Sequence, residues 1–197
     1  HTGVGWSKNI SKTPENSKTV QTDLVLPGDT NSLNTLFGGE LLARMDRVAS
    51  IAAIKHSEQI VVTASINNVA FGEPIPVGSI LTIEAKVSRS FNSSMEVFID
   101  VWKQDKINPK RTKVNEAIYT FVALNKRGKT VRVPGIIPQT DLEKSRFDAA
   151  LRRRQLSLVL AGKMKATDAT ELKAIFDWFE EQNILIMAFC FYTTNCI

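Results

Sequence analysis

A chain of 197 residues, 43% hydrophobic and 23% charged, has room for one domain with a real core and none for two large ones. Its formal net charge of +5 favours an anionic partner, yet no basic stripe interleaved with aromatics marks a nucleic-acid module. The two cysteines, Cys190 and Cys196, form neither a metal spacing nor a disulfide framework.

Residues 1–17 are polar and read as a flexible lead-in. No signal peptide is visible in them, and with no disulfide framework a cytoplasmic location is expected. Lys18 to Leu26 alternates as a strand, with Val20, Leu24 and Leu26 expected toward one face. Pro27-Gly28 signals a turn, and the polar cluster Asp29-Thr30-Asn31 follows it. Gly38-Gly39 lets the backbone approach another group closely. From Glu40 to about His56 the apolar residues Leu41, Met45, Val48 and Ala52 recur at helical spacing, and Leu42, Ala49 and Ala53 widen the stripe. Asp46 falls inside that stripe. A carboxylate there is costly unless paired or hydrogen-bonded, so at the edge of the stripe it snorkels to water or pairs with Arg47 or Arg44, or else it serves a site.

Gln59 to Phe71 reads as a second strand, rich in Val, Ile and Thr. Ser79 to Ser90 is a third, with Leu81, Ile83, Ala85 and Val87 alternating against Ile80, Thr82, Glu84 and Lys86. Ser93 to Lys103 is a fourth, with Met95, Val97, Ile99 and Val101 on one face. Thr112 to Asn125 is a fifth, and the turn Asn125-Lys126-Arg127-Gly128 leads to a short sixth at Lys129 to Val133. A strand, a long helix and then a run of antiparallel strands make an α+β sheet around one central helix. Thr140-Asp141-Leu142-Glu143 is a capping box opening a helix to about Leu160. Thr167 to Gln182 has a further helical pattern. Ile184 to Tyr192 is nine apolar residues, too few for a bilayer span.

The chemistry is read from the helix start. Free N–H groups at Gly38, Gly39 and Glu40 can hold an oxyanion, Asp46 can activate water, and Asn31 can orient water or a carbonyl. His1 and His56 lack any triad context, neither cysteine lies near a candidate base, and no metal-ligand cluster is visible.

The same residues carry a resemblance. Asp29-Thr30-Asn31, Phe37-Gly38-Gly39 and Met45-Asp46, then Val61-Val62-Thr63-Ala64, Phe71-x-x-Pro74-Ile75-x-Val77-Gly78 and Ser93-Ser94-Met95-Glu96-Val97, resemble the hotdog-fold acyl-CoA thioesterases, in the branch of small bacterial acyl-CoA hydrolases. The resemblance spans about residues 18–160 and departs at Leu33-Asn34, where many relatives have a small residue and a glycine. It leaves 161–197 as an extension of unknown role. It implies a sheet of five to six strands around the helix, with C-terminal helices. It also implies hydrolysis of fatty acyl-CoA, with Asn31, Asp46 and Thr63 as catalytic residues and Arg89, Ser90 and Ser94 beside the CoA. Coenzyme A would be part of substrate and product, and no separate cofactor is expected. Sites would be shared in a homodimer, with three dimers in a hexamer. A non-catalytic acyl-CoA- or nucleotide-binding regulator on the same fold is the alternative, and a dehydratase would need a His–carboxylate pair that His56 is badly placed to supply.

Overall fold

The structure is a computed structural model, and it describes residues 10–67, 69 and 71–174. The chain divides into two compact units, His1–Phe147 and Asp148–Ile197.

The first unit is one antiparallel sheet of five strands and one long helix. In chain order they are α1 (Pro14–Ser17), β1 (Thr19–Leu24), α2 (Gly38–Ser57), β2 (Ile60–Asn67), β3 (Ile80–Ser90), β4 (Ser94–Gln104) and β5 (Thr112–Leu124). The strand order is β1-β3-β4-β5-β2, and α2 packs against every strand. This is the sheet-around-helix arrangement that the pattern of elements implies.

The core follows from two periodicities meeting. Leu41, Met45, Val48, Ala49, Ala52 and Ala53 on α2 are buried against Leu81, Ile83, Ala85 and Val87 of β3 and Met95, Val97, Ile99 and Val101 of β4. Three of those six helix residues are alanines, so the sheet can close tightly on the helix. Each larger aliphatic chain buried here is worth about 1.5–3 kcal/mol. The opposite face of β4 is also covered, with Glu96, Phe98 and Asp100 buried. Asp100 is held there by Lys113 at 2.7 Å and by Arg146 at 2.9 Å, whose guanidinium also lies 3.7 Å over the Phe98 ring.

Two expectations are corrected, the sixth strand and the flexible lead-in. Val20, Leu24 and Leu26 are all exposed, so the common face expected of them is the outer one. Residues paired across a sheet share a face. Asp23, Gln21 and Thr19 pair with Leu81, Ile83 and Ala85, so the polar side of β1 is the one turned toward the core. The sixth strand does not form: Lys129 to Val133 contributes only the isolated bridge Leu124↔Thr130. Both edges of β5 are already taken by β4 and β2, and Ser94↔Val122 leaves only a short overhang to cover. The lead-in is fixed from Lys12 onward. Its N–H donates to Gly135 O at 2.9 Å, its carbonyl accepts from Ile137 N at 3.0 Å, and Ser17 is fully buried.

α2 ends at Glu58, whose left-handed backbone (φ 54°) lets its N–H return to Ile54 O. In that last turn His56 is fully buried. Its Nε2 lies 2.8 Å from Pro134 O and so carries the proton, while Nδ1 is buried without a partner. Burial pushes this imidazole below its ordinary value; the Pro134 carbonyl opposes that, and the Lys12 ammonium adds to it. The unfolded chain therefore takes up a proton below about pH 6.5 that the native state refuses. Stability is full above that pH and falls as pH drops toward the lowered native value. Thermal unfolding followed from pH 8 to 5 should show this acid limb in the wild type and a flatter one in His56→Gln, which keeps a donor for Pro134.

In the second unit, Gln155 is the organising side chain. Its Oε1 accepts from the N–H groups of Glu171 and Leu172 at 2.9 and 3.3 Å, and Ala150 and Ala169 are buried. α3 (Asp141–Leu160) begins as expected at the capping box, with Glu143 N donating to Thr140 Oγ1 and Thr140 N to Glu143 Oε2, each at 3.2 Å; the division between units falls inside this helix. Helix resumes at 170–174, within the pattern expected at Thr167 to Gln182. The rest of that pattern, Ile184 to Tyr192 and both cysteines lie outside the described residues.

Candidate active site

The loop before α2 is built around one asparagine. Asn31 Oδ1 accepts from Leu33 N at 2.9 Å, Thr35 Oγ1 at 3.1 Å and Thr35 N at 3.3 Å. Three donors fix which end of the amide faces the loop. The amide nitrogen is left to donate elsewhere. Asn34 takes a left-handed backbone at φ 55° in this turn. That conformation suits glycine and is tolerated by asparagine, which accounts for the Leu33-Asn34 departure.

A charge cluster clamps this loop to the helix. The buried Arg44 places Nη2 2.8 Å from Asp29 and Nε 2.9 Å from Glu40. The Leu26 N–H and then the Arg44 guanidinium hold the Asp29 carboxyl below its ordinary range. Sequence reasoning offered Arg44 as a partner for Asp46; the structure gives it to the loop. Its i,i+4 spacing from Glu40 is the signal that could have found this.

At the helix start, the first α-helical bond from this end runs from Leu41 N to Phe37 O at 3.0 Å. The N–H groups of Gly38, Gly39 and Glu40 precede it and have no intrahelical acceptor. A Cβ on Gly38 would lie 3.1 Å from the Phe71 ring, and one on Gly39 would meet open space. Gly38 is thus the close-approach glycine, and Gly39 is the open one.

Asp46 is half-buried on α2, and no Lys or Arg among the described residues lies within ion-pair distance of it. Its partner is Thr63, whose Oγ1 donates to Oδ1 at 2.7 Å from β2. A bulge between Thr63 and Ser65 breaks the register with β5 beside this residue. Tyr119 closes another side: its hydroxyl donates to Leu42 O at 3.1 Å, and burial together with the Asp46 charge pushes its phenol up to about 12. Asp46 and Thr63 are therefore brought together. Asn31 bonds to neither. From Gly38 to Asp46 is eight residues, about 12 Å along the helix axis, so one chain does not bring the helix-start amides and its own Asp46 to one carbonyl group.

Arg89, Ser90 and Ser94 sit together at the β3–β4 hairpin. The Arg89 guanidinium lies 3.9 Å over the Phe147 ring and donates to Phe147 O at 2.9 Å; Ser90 is half-buried and Ser94 buried. Among the described residues no group of three or more His, Cys, Asp or Glu converges, and no helix is long and apolar enough to cross a membrane.

Comparison with known proteins places this geometry in a family. The thioesterase superfamily model matches residues 33–109. The uncharacterized acyl-CoA thioester hydrolase YkhA of Bacillus subtilis is 41% identical over 137 residues, 70% of this chain and 80% of that protein. A solved apo-hexameric acyl-CoA thioesterase superposes with a TM-score of 0.74 at 40% identity, covering 77% of this chain and 97% of that one. An acyl-CoA hydrolase of Staphylococcus aureus, in complex with butyryl-CoA, CoA and CoA disulfide, superposes at 0.68 with 35% identity over 91% of this chain and 99% of its own. Further structures of the staphylococcal enzyme carry an asparagine, an aspartate or a threonine replaced by alanine. The three positions are 15 and then 17 residues apart, the intervals from 31 to 46 and from 46 to 63 here. At 41% identity across four-fifths of a relative's length, this chain belongs to the thioesterase superfamily, among the acyl-CoA thioester hydrolases.

Proposed function

We propose that the protein hydrolyses fatty acyl-CoA to free fatty acid and CoA, with Asp46 as general base. The observation that carries this is the 2.7 Å hydrogen bond from Thr63 to an Asp46 carboxylate with no cation beside it. A structural carboxylate on an apolar helix face would be expected to take a counter-ion. This one is oriented by a hydroxyl and leaves its second oxygen free for a water proton. The matching intervals in the staphylococcal variants support the same three residues.

Water, held by Asp46 and Thr63, attacks the thioester carbon as Asp46 takes its proton. The carbonyl oxygen becomes an oxyanion facing the N–H groups of Gly38, Gly39 and Glu40, where the helix dipole favours negative charge. Asn31, whose free amide end only donates, binds that oxygen rather than the proton-bearing side of the water. The C–S bond breaks as the oxyanion collapses, and the CoA thiolate takes up the proton. The base is regenerated, and CoA enters and leaves as part of substrate and product. We place the CoA portion beside Arg89, Ser90 and Ser94.

The helix-start donors and the Asp46–Thr63 pair must come from two chains, because of the 12 Å separation estimated above. β1 and β2 are the two edges of the sheet; β2, which carries Thr63, exposes Ile60, Val62 and Ile66. Such an edge invites a second copy. Antiparallel pairing about a twofold axis sets the two α2 helices antiparallel, each start facing the later turns of the other. Three such dimers would form the hexamer known for the apo-thioesterase relative.

The test is thiol release from a panel of acyl-CoAs by the wild-type protein. Release with at least one member is expected. No release from any, with the acyl-CoAs still bound, would favour the non-catalytic regulator instead.

A further inference from the structure

A cavity of about 380 Å³ opens at the start of α2, lined by apolar residues such as Leu36, Leu41 and Phe71, by Gly38, and by the polar side chains of Thr35, Glu73 and Asn115. Thr35 Oγ1 is engaged with Asn31 Oδ1 at 3.1 Å, and Glu73 is paired with Lys103 at 3.2 Å. Asn115 differs: it is 6% exposed, and its Oδ1 is buried without a hydrogen-bond partner. Its position is specified by the strand. Val101 pairs with Asn115 and Trp102 with Lys113, so Val114 is an extra residue, and both Val114 and Asn115 are buried. Bulges of this kind re-aim side chains beside sites. Along the same inner row of β5, Tyr119 places its hydroxyl on Leu42 O, while Asn115 is left with an unused acceptor.

We infer that this cavity is the acyl subsite and that Asn115 makes it select short acyl groups bearing a hydroxyl. The inference rests on the thioesterase reading above. The Gly38 amide that lines the cavity is one of the donors assigned to the thioester oxygen, so the group attached to that carbonyl is what reaches the cavity. Its volume lies near the lower end of ligand pockets, which suits a short chain. A plain alkyl chain entering it expels water and leaves a buried polar group unsatisfied. A hydroxyl can donate to the amide oxygen or accept from the amide nitrogen, so it satisfies Asn115 in either orientation. The pantetheine arm of CoA is a poorer occupant, because it brings two amides where a single buried side-chain atom, Asn115 Oδ1, lacks a partner.

The experiment compares kcat/KM for butyryl-CoA and 3-hydroxybutyryl-CoA in the wild type, Asn115→Leu and Asn115→Ser. In parallel, calorimetry measures binding of the non-hydrolysable S-butyl and S-(3-hydroxybutyl) thioethers of CoA. A wild-type preference for the hydroxylated member of about tenfold, lost in Asn115→Leu and partly kept in Asn115→Ser, is the expected result. No preference in the wild type, or one unchanged in Asn115→Leu, overturns it. Equal weakening of both thioethers and of free CoA in Asn115→Leu would mean a pantetheine contact and also overturns it. If neither these thioesters nor any other of the panel is hydrolysed but the thioether preference depends on Asn115, the hydrolase reading falls and the subsite stands. Should Asn115→Leu fail to fold, the wild-type and Asn115→Ser preferences decide.

Discussion

Asp46→Asn should lower kcat for acyl-CoA hydrolysis by about 10³, within the range that a positioned general base contributes, with KM changed by no more than a few fold. The substitution is nearly isosteric, and an amide oxygen can still accept from Thr63 Oγ1, so the hydrogen bond at 2.7 Å between α2 and β2 has a replacement. What is lost is the lone pair that removes a proton from water. Thr63→Ala removes one hydrogen bond to a charged group, about 1.5–3 kcal/mol, and should cost about 10- to 100-fold. The order of the two effects separates the roles. If Thr63→Ala were the more damaging, the hydroxyl would be acting on the substrate itself and Asp46 would be its support. Thiol-release kinetics on folded variants, with folding checked by Tm, measure this directly. A single turnover in ¹⁸O-water adds a second distinction: label in the product acid marks attack by water, and label in Asp46 marks a mixed anhydride formed by the carboxylate as nucleophile.

What could be read in the sequence follows the reach of each physical rule. The α2 stripe was legible because helical spacing puts Leu41, Met45, Val48 and Ala52 on one side whatever surrounds them. Thr63 required more, since a strand threonine has an ordinary reading, and the family resemblance supplied its role. Its contact with Asp46 crosses from helix to strand and is fixed only by packing. β1 shows the limit of alternation. Val20 and Leu24 do share a face, but the register with β3, not the pattern itself, decides which face looks inward. The partner of Arg44 stayed open because carboxylates flank it on both sides in sequence, and only the loop geometry brings Asp29 to it beside Glu40. Asn115 shares the inner row with Ala117 and Tyr119 by simple alternation, but no sequence pattern shows that its amide oxygen is left without a partner.

The distance along α2 is the fact that most changes the picture of the site. Composition and spacing put Asn31, the glycine pair and Asp46 in one short stretch, which suggests a single constellation. A straight helix pulls its ends apart, and this one carries Asp46 about 12 Å from the amides at Gly38. Arg44 then holds the Asn31 loop at the amide end, through Asp29 and Glu40. Under the proposed mechanism each chain would supply half of two sites: the donors at one end and the Asp46–Thr63 base at the other. The edge strand β2 carries Thr63 and exposes Ile60, Val62 and Ile66, so twofold pairing there would close both sites.

Mixing two inactive proteins should therefore restore activity. Asn31→Ala chains keep the base half intact, and Asp46→Ala chains keep the donor half intact. In a mixed dimer one site collects both lesions and the other collects none. Equal amounts with free exchange give half mixed dimers, each with one good site of two, so recovery should approach roughly a quarter of wild-type activity. The control pairs Asp46→Ala with Thr63→Ala. Both lesions fall in the same half, every site in every dimer carries one of them, and activity should not rise above that of the Thr63→Ala parent's share. Exchange is verified by co-purification of differently tagged chains. Recovery in the first mixture and not in the second requires that the donors and the base come from different subunits. If exchange is complete and neither mixture recovers, the donors and the base do not come from different subunits, and the assignment of the Gly38, Gly39 and Glu40 amides to the carbonyl attacked at Asp46 falls.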